Sequence, residues 1–450
     1  MAGIGFDLRR LCVHDDGLFV RTRAYATAGL VAAGPWLLTM ASLWLVRVFG
    51  PRSSAVSDTF FAIVGFLFAT SLITVGGLQM AVTRWLADQL HLRRYGVLVP
   101  AFGRLFAVTA AVQALACALA CRWCGLDPSL VPPIVLTYVG ISSAWLSMVW
   151  LSLVRQHGAV LLVFVGGALG FAAMLTLLGP EVDVRRLLWA YAIDNAAMVA
   201  SMVVLILRGV EPPDDTLEVG LSRLARMPVL WAIGTAWALA TWIDKIVFWC
   251  SDGVRAGLLP HHPLYDSCFY LAYVTVVPAL ATNLVHLETD FYERYRRFYA
   301  AVTGHAPLAE IRCLGQGLRG SLDRAAGRLL RVQGAVTAVC CWLAPEIVAA
   351  VGLPPFAART LRFLCLGSLC HVLLLLVVLV LLYFDRQRAA LRTVGLFLLG
   401  NAALAAWSVD VGPLSYGLGY ALAALVALVW GLVELRWALG RIEYLTFTGR

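Results

Sequence analysis

The feature that most constrains this chain is a run of apolar stretches. From Arg23 onward the sequence contains about twelve of them, each roughly 20 residues long and separated by short arginine-bearing joints. An apolar helix of about 20 residues crosses a bilayer core of about 30 Å. The fold class expected is an all-α integral membrane protein of about twelve transmembrane helices. The predicted spans are 24–49, 58–83, 98–121, 130–155, 158–180, 186–207, 227–251, 264–288, 329–351, 360–384, 388–410 and 413–435.

Composition agrees. The 450 residues are 61% hydrophobic and 14% charged, against about half and a quarter in soluble domains. Nearly all the chain is consumed by spans and joints, so no stretch remains for a sizeable soluble catalytic domain. Lys245 is the only lysine among 35 basic residues, and the formal net charge is +9. Most of the arginines fall on alternate joints. With the N-terminus in the cytoplasm, Arg9, Arg10, Arg21, Arg23, Arg84, Arg93, Arg94, Arg104, Arg155, Arg208, Arg223, Arg226, the run Arg294 to Arg331, Arg386, Arg388, Arg392, Arg436, Arg441 and Arg450 lie inside. The asymmetry is about threefold and predicts an N-in/C-in topology in a cytoplasmic membrane. No basic-aromatic groove pattern points to nucleic acid. The first 22 residues, with Phe6, Leu8, Arg9, Arg10 and Leu11, read as a cationic amphipathic segment instead of a cleavable signal peptide.

The acidic, proline-bearing joint at 208–226 splits the spans six plus six. It suggests an N-terminal lobe over 1–210, a cytoplasmic linker over 211–226 and a C-terminal lobe over 227–450, with both lobes inserted in the same sense. The longest inner joint, 289–328, carries Leu308, Ile311, Leu314, Leu318, Leu322 and Leu329 on one stripe. It is expected to form a surface helix in the headgroup region, a partner-docking helix being the alternative.

Ionisable groups inside spans are costly and are functional candidates. Asp194 and Asn195 sit in the sixth span; Asp244 and Lys245, with Thr241 at i, i+3 and i+4 spacing, sit in the seventh. Both sets lie about 10–12 Å from the same membrane face. They suit the lining of a substrate pathway, or a structural ion-pair cluster. Gly29, Gly34 and Pro35 are expected to interrupt the first span, Gly76 and Gly77 the second, Gly234 the seventh and Pro278 the eighth, with Pro35 and Pro278 as hinges. Trp231, Trp237, Trp242, Phe248 and Trp249, then Tyr265, Phe269, Tyr270 and Tyr273, crowd the seventh and eighth spans, which suits stacking on sugar rings as well as interfacial anchoring. His286, Glu288, Asp290 and Arg294 mark an inner mouth or partner contact. Cys117, Cys121 and Cys124 recur at helical spacing, but no second ligand pair of zinc spacing accompanies them, and no metal or other cofactor is expected. No phosphate-binding loop, HExxH or GxSxG pattern is present. Asp58 is the only acid in the first outer loop, which argues against a polytopic glycosyltransferase and against enzymatic function in general.

Several motifs carry a resemblance. The opening Met1-Ala-Gly-Ile-Gly-Phe-Asp-Leu-Arg-Arg10, Arg23-Ala-Tyr25-Ala, Ala28-Gly29 and Ala33-Gly34-Pro35-Trp36 resemble the start of the PelG family, inner-membrane transport proteins of Pel exopolysaccharide systems. So do Trp242-Ile-Asp244-Lys245, Tyr265-Asp266, Phe269-Tyr270-Leu-Ala-Tyr273, Val277-Pro278-Ala279 and Glu288-Thr-Asp290-Phe-Tyr292. The resemblance implies membership of the superfamily of multidrug antiporters and lipid-linked oligosaccharide flippases, with two six-helix lobes around a cavity. It also implies export of a hexosamine polysaccharide beside a cytoplasmic glycosyltransferase and inner-membrane Pel subunits, one a cyclic di-GMP sensor. Rival expectations are a lipid-linked oligosaccharide flippase or cation-coupled multidrug antiporter of the same fold, or a non-transporting scaffold of a polysaccharide synthase.

Overall fold

The computed structural model describes residues 18–153, 157–210, 219–256 and 259–448. The predicted N-terminal segment around Phe6 to Leu11 and residues 211–218 of the predicted linker lie outside these.

The chain is nearly all helical. The helices are α1 (Leu18–Phe49), α2 (Ser54–His91), α3 (Leu98–Trp123), α4 (Val131–Leu151), α5 (His157–Leu178), α6 (Val184–Gly209), α7 (Pro228–Ser251), α8 (Pro263–Val274), α9 (Val277–His286), α10 (Tyr292–Thr303), α11 (Leu308–Trp342), α12 (Ala344–Val351), α13 (Ala357–Tyr383), α14 (Gln387–Val411), α15 (Leu418–Gly440) and α16 (Ile442–Thr448). An antiparallel hairpin, β1 (Val254–Ala256) with β2 (Leu259–His261), follows α7.

Local chemistry sets the ends. Asp183 caps α6, its carboxylate accepting from the Arg186 amide at 2.9 Å, so one orphan donor of the first turn is satisfied. Gly352 terminates α12 in the left-handed conformation, φ 76°, which a side chain would resist.

Among the described residues nine helical segments are long and apolar enough to cross a membrane, and a tenth joins α11 to α12 through a 64° bend. This is a multi-pass membrane protein. α7 has 24 residues but is not among the nine. Its Asp244–Lys245 pair and its tryptophans dilute its hydropathy. Within α1 the described apolar stretch is Met40–Phe49, shorter than a membrane-crossing helix.

The chain divides into two compact units. The first comprises residues 33–242 and 252–262 of the described chain. The second comprises residues up to 32, 243–251 and 263 onward. This division passes through α1 between Ala32 and Ala33 and through α7 between Trp242 and Ile243. It is therefore a different partition from six helices plus six.

Several interruptions expected from the sequence take another form. α1 runs unbroken through Gly34 and Pro35; proline costs one backbone bond without necessarily ending a helix. Gly34 instead permits a close approach, since a Cβ there would sit 2.7 Å from the Phe164 ring. α2 is likewise continuous at Gly76, where a Cβ would lie 2.9 Å from the Gly234 carbonyl oxygen. Gly76 lets two helix backbones touch, the packing device of membrane helices, while Gly34 makes room for an aromatic ring. The eighth span does break at the predicted proline: α8 ends at Val274 and α9 starts at Val277, with Pro278 in its first turn.

The predicted headgroup-plane helix is also corrected. Its residues form the first half of α11, one continuous helix of 35 residues about 52 Å long. Such a helix has no break at which to turn out of the membrane plane. Ile311, Leu318, Leu322 and Leu329 are buried. Gly315 lies against Phe298 of α10 and Ile442 of α16. The apolar stripe packs on the chain's own neighbouring helices, which is why it exists.

Candidate functional site

The second unit holds a buried polar cluster built from α7, α8, α13 and α15. Asp244 and Lys245 are both fully buried, and the Lys245 ammonium donates to Asp244 Oδ1 at 3.3 Å. Neighbouring residues on a helix point about 100° apart. The contact forms because the four-carbon lysine stem folds across. The other carboxylate oxygen, Oδ2, accepts from the Tyr265 hydroxyl at 2.7 Å. Lys245 Nζ also lies 3.1 Å from the centroid of the Phe269 ring, and a ring face stabilises a desolvated cation. Removing an unpaired charge from water costs many kcal/mol, and pairing with added hydrogen bonds offsets it.

Aromatic rings wall this pair. Phe248 stacks on Tyr265 with centroids 3.9 Å apart, and Phe269 stacks on Tyr273 at 4.6 Å. One helical turn past Lys245, Trp249 donates to both oxygens of Asp266, at 3.0 and 2.9 Å. His371 of α13 is held from both sides: Tyr420 lies 3.0 Å from Nδ1 and Tyr273 3.4 Å from Nε2. His371 and Tyr420 are missing from the expectations above, although an ionisable residue in the middle of the apolar stretch 360–384 was the signal for them.

Thr241 belongs to the first unit, and its hydroxyl donates to the Trp237 carbonyl of its own helix at 2.9 Å. Asp194 and Asn195 also lie in the first unit. Asn195 donates to the Tyr191 carbonyl at 2.8 Å. Asp194 is 5% exposed, faces Gly170 of α5, and its Oδ2 has no hydrogen-bond partner among the described residues. The helix packed against α6 is unusually polar: Thr137, Ser142, Ser143 and Ser147 of α4 are buried with hydroxyls that have no partner among the described residues.

The predicted inner-mouth residues come together in the second unit around a π-helical turn, Leu287–Phe291. Such turns widen a helix locally and recur at functional places. Asp290 accepts from Arg294 Nε at 2.8 Å and lies 3.6 Å from Arg324 of α11. Burial alone would push the Asp290 carboxyl up; the Arg294 hydrogen bond and the Arg294 and Arg324 charges outweigh it and hold the group below the usual carboxylate range. His286 meets Arg328 at 3.0 Å. The Glu288 side chain lies outside what the structure describes. Among the described residues no three His, Cys, Asp or Glu side chains are grouped to hold a metal ion.

The sequence profile of the PelG family, "Putative exopolysaccharide Exporter (EPS-E)", matches residues 1–447. No curated protein matches the chain in sequence. Among solved structures, the chain is similar to an outward-facing multidrug resistance MATE family transporter of the MOP superfamily, at 14% identity and TM-score 0.66, covering 98% of this chain and 97% of that one. It is also similar to a MOP superfamily transporter from Pyrococcus furiosus, described as having a binding pocket of reverse polarity, at 15% identity and TM-score 0.63, covering 92% and 94%. An inward-facing MATE transporter matches at 14% identity and TM-score 0.55, covering 92% and 95%. At such identities the likeness establishes the fold alone, which this chain shares with those transporters.

Proposed function

The chain belongs to the PelG family of exopolysaccharide exporters, and from that premise we propose that it moves an amino-sugar polymer of the Pel kind across the cytoplasmic membrane. In this reading it is a transporter and not an enzyme. Asp194, Asn195, Thr241, Asp244 and Lys245 line the path, Pro35 and Pro278 are its hinges, and the N- and C-termini are cytoplasmic. His286, Glu288, Asp290 and Arg294 form the inner mouth, where a cytoplasmic glycosyltransferase and inner-membrane subunits, including a cyclic di-GMP sensor, hand over the chain.

The observation that carries the reading is the pairing of Asp244 with Lys245 and Tyr265 amid stacked aromatic rings. An ion pair of zero net charge beside ring faces suits a sugar polymer, whose hydroxyls exchange hydrogen bonds and whose C–H faces stack. A second reading, an ion-coupled flippase or antiporter of the same fold, is favoured by one observation: the buried Asp194 carboxylate, whose Oδ2 has no hydrogen-bond partner among the described residues.

The test compares extracellular with intracellular hexosamine polymer in a producing host, wild type against Asp244→Ala at equal protein level. The proposal expects polymer outside to fall while the glycosyltransferase stays bound and active. Unchanged export would remove Asp244 from the path and favour a scaffold that activates a synthase.

A further inference from the structure

Away from the polar cluster, the second unit carries a concentration of arginine where three apolar segments end. α13 finishes at Tyr383, α14 starts at Gln387, and α15 finishes at Gly440. Each is among the membrane-crossing helices, so these ends mark a membrane–water boundary. Trp437 projects from the last turn of α15 and is 42% exposed. Two guanidinium groups lie over its indole: Arg386 from the loop before α14, 5.1 Å from the ring centroid, and Arg441, 4.7 Å from it.

Two cations held by one ring repel each other, and the ring's quadrupole offsets only part of that. Among the described residues neither guanidinium has a carboxylate within ion-pairing distance. The acids nearby are engaged or exposed. Glu434, one turn back on α15, accepts from Arg392 at 2.7 Å, and Asp385 is exposed and accepts from Gln387 Nε2 at 2.8 Å. Exposed Arg388 and Arg436 add to the excess of positive charge. Tyr444 and Phe447 of α16 are 63% and 59% exposed, the aromatic content expected at headgroup level. The patch thus has fixed cations, a platform that orients them, apolar helix surface beside it and, among the described residues, no carboxylate paired with Arg386 or Arg441.

We propose that Arg386 and Arg441, stacked on Trp437, form a binding site for the phosphate of an anionic membrane glycerophospholipid. The phosphate bridges the two forks, which suit it in shape and charge, and the acyl chains lie along the apolar ends of α14 and α15.

The experiment is native mass spectrometry of the full chain released from detergent micelles, titrated with phosphatidylglycerol and, separately, with phosphatidylcholine. Wild type is expected to retain phosphatidylglycerol preferentially. Arg386→Gln/Arg441→Gln should weaken that lipid about fivefold per arginine, so about 25-fold together, and leave phosphatidylcholine unchanged. Trp437→Leu keeps both charges and loses the platform; it should weaken phosphatidylglycerol less than the double variant does. Arg312→Gln/Arg331→Gln removes two exposed arginines elsewhere and should change nothing. Equal phosphatidylglycerol retention in the Arg386/Arg441 double variant and wild type overturns the site. An equal loss in the Arg312/Arg331 control reduces it to general electrostatics and overturns it too. Displacement of phosphatidylglycerol by millimolar inorganic phosphate overturns the lipid as occupant.

Discussion

The two units each bury an aspartate, and they treat it in opposite ways. In the second unit Asp244 is held by an ammonium and a phenol at 3.3 and 2.7 Å. In the first, Asp194 faces Gly170, and its Oδ2 has no hydrogen-bond partner among the described residues. The physics of burial separates these cases. A charge with full pairing can stay in a dry interior, but its partners then depend on one another. An acid without partners is expensive to ionise there and contributes little to holding the fold. The first arrangement is stable only as a set, while the second is a local cost that a fold retains for some other reason.

The largest effect follows from breaking the set. Lys245→Met leaves Asp244 buried against Tyr265 without its cation and should destabilise the protein by about 3–5 kcal/mol, read as a fall in the thermal unfolding midpoint in detergent. Asp244→Asn/Lys245→Met removes both charges and should recover most of that loss. If the single and double variants are equally destabilised, the pair is not a coupled unit.

Tyr265→Phe sharpens the same comparison. It removes one hydrogen bond to a carboxylate, worth about 1.5–3 kcal/mol, and leaves the stack on Phe248 in place. The expected loss lies between wild type and Lys245→Met in the same unfolding assay.

In the first unit the sign should reverse. Asp194→Asn replaces a group that is costly to ionise with a neutral one of the same shape. It should leave stability unchanged or raise it by about 1 kcal/mol, while lowering polymer export if Asp194 lies on the path. A destabilisation comparable to that of Tyr265→Phe would show that Asp194 is held by partners after all.

These contrasts bear on what the sequence disclosed. Hydrophobic length was enough for the membrane fold, because few structures satisfy backbone groups in lipid. The break before Pro278 was legible because proline lacks an amide donor. Asp244 with Lys245 was legible because opposite charges side by side in an apolar helix are costly unless they pair or serve a function. Tyr265, a phenol 21 positions away, was visible only as one aromatic among many, and its role depends on where α8 returns beside α7. The leucine stripe of α11 was ambiguous in principle: periodicity shows that a face is buried and does not say against what. Gly34 and Gly76 misled for a related reason, since glycine serves close packing as well as flexibility.

The smallest effect carries the comparison to the charges outside the spans. In the second unit Asp290 is gripped by Arg294 and Arg324. In the first, Asp252 faces His262, the residue that follows β2, at 3.5 Å. Burial pushes the His262 imidazole down, and the Asp252 charge and hydrogen bond, which push it up, do not fully oppose this. His261 is pushed down as well, by burial, against the charge of Asp58. The folded hairpin therefore binds fewer protons than the unfolded chain between the depressed and ordinary histidine values, and stability rises with pH there. Its contribution is complete above about pH 6.5, the ordinary histidine value, and is lost as pH falls below it. Asp290 has a depressed carboxyl, so its contribution is intact at that pH and is lost only as the medium falls through its own lowered value. Hydrogen exchange of the amides in 252–262 should quicken relative to those in 287–303 as pH drops from 7 to 5, once the intrinsic exchange rate is divided out. His262→Gln should remove most of that difference. If hairpin protection holds constant over this range, or falls equally in the His262→Gln variant, then His262 is not what ties this hairpin to pH.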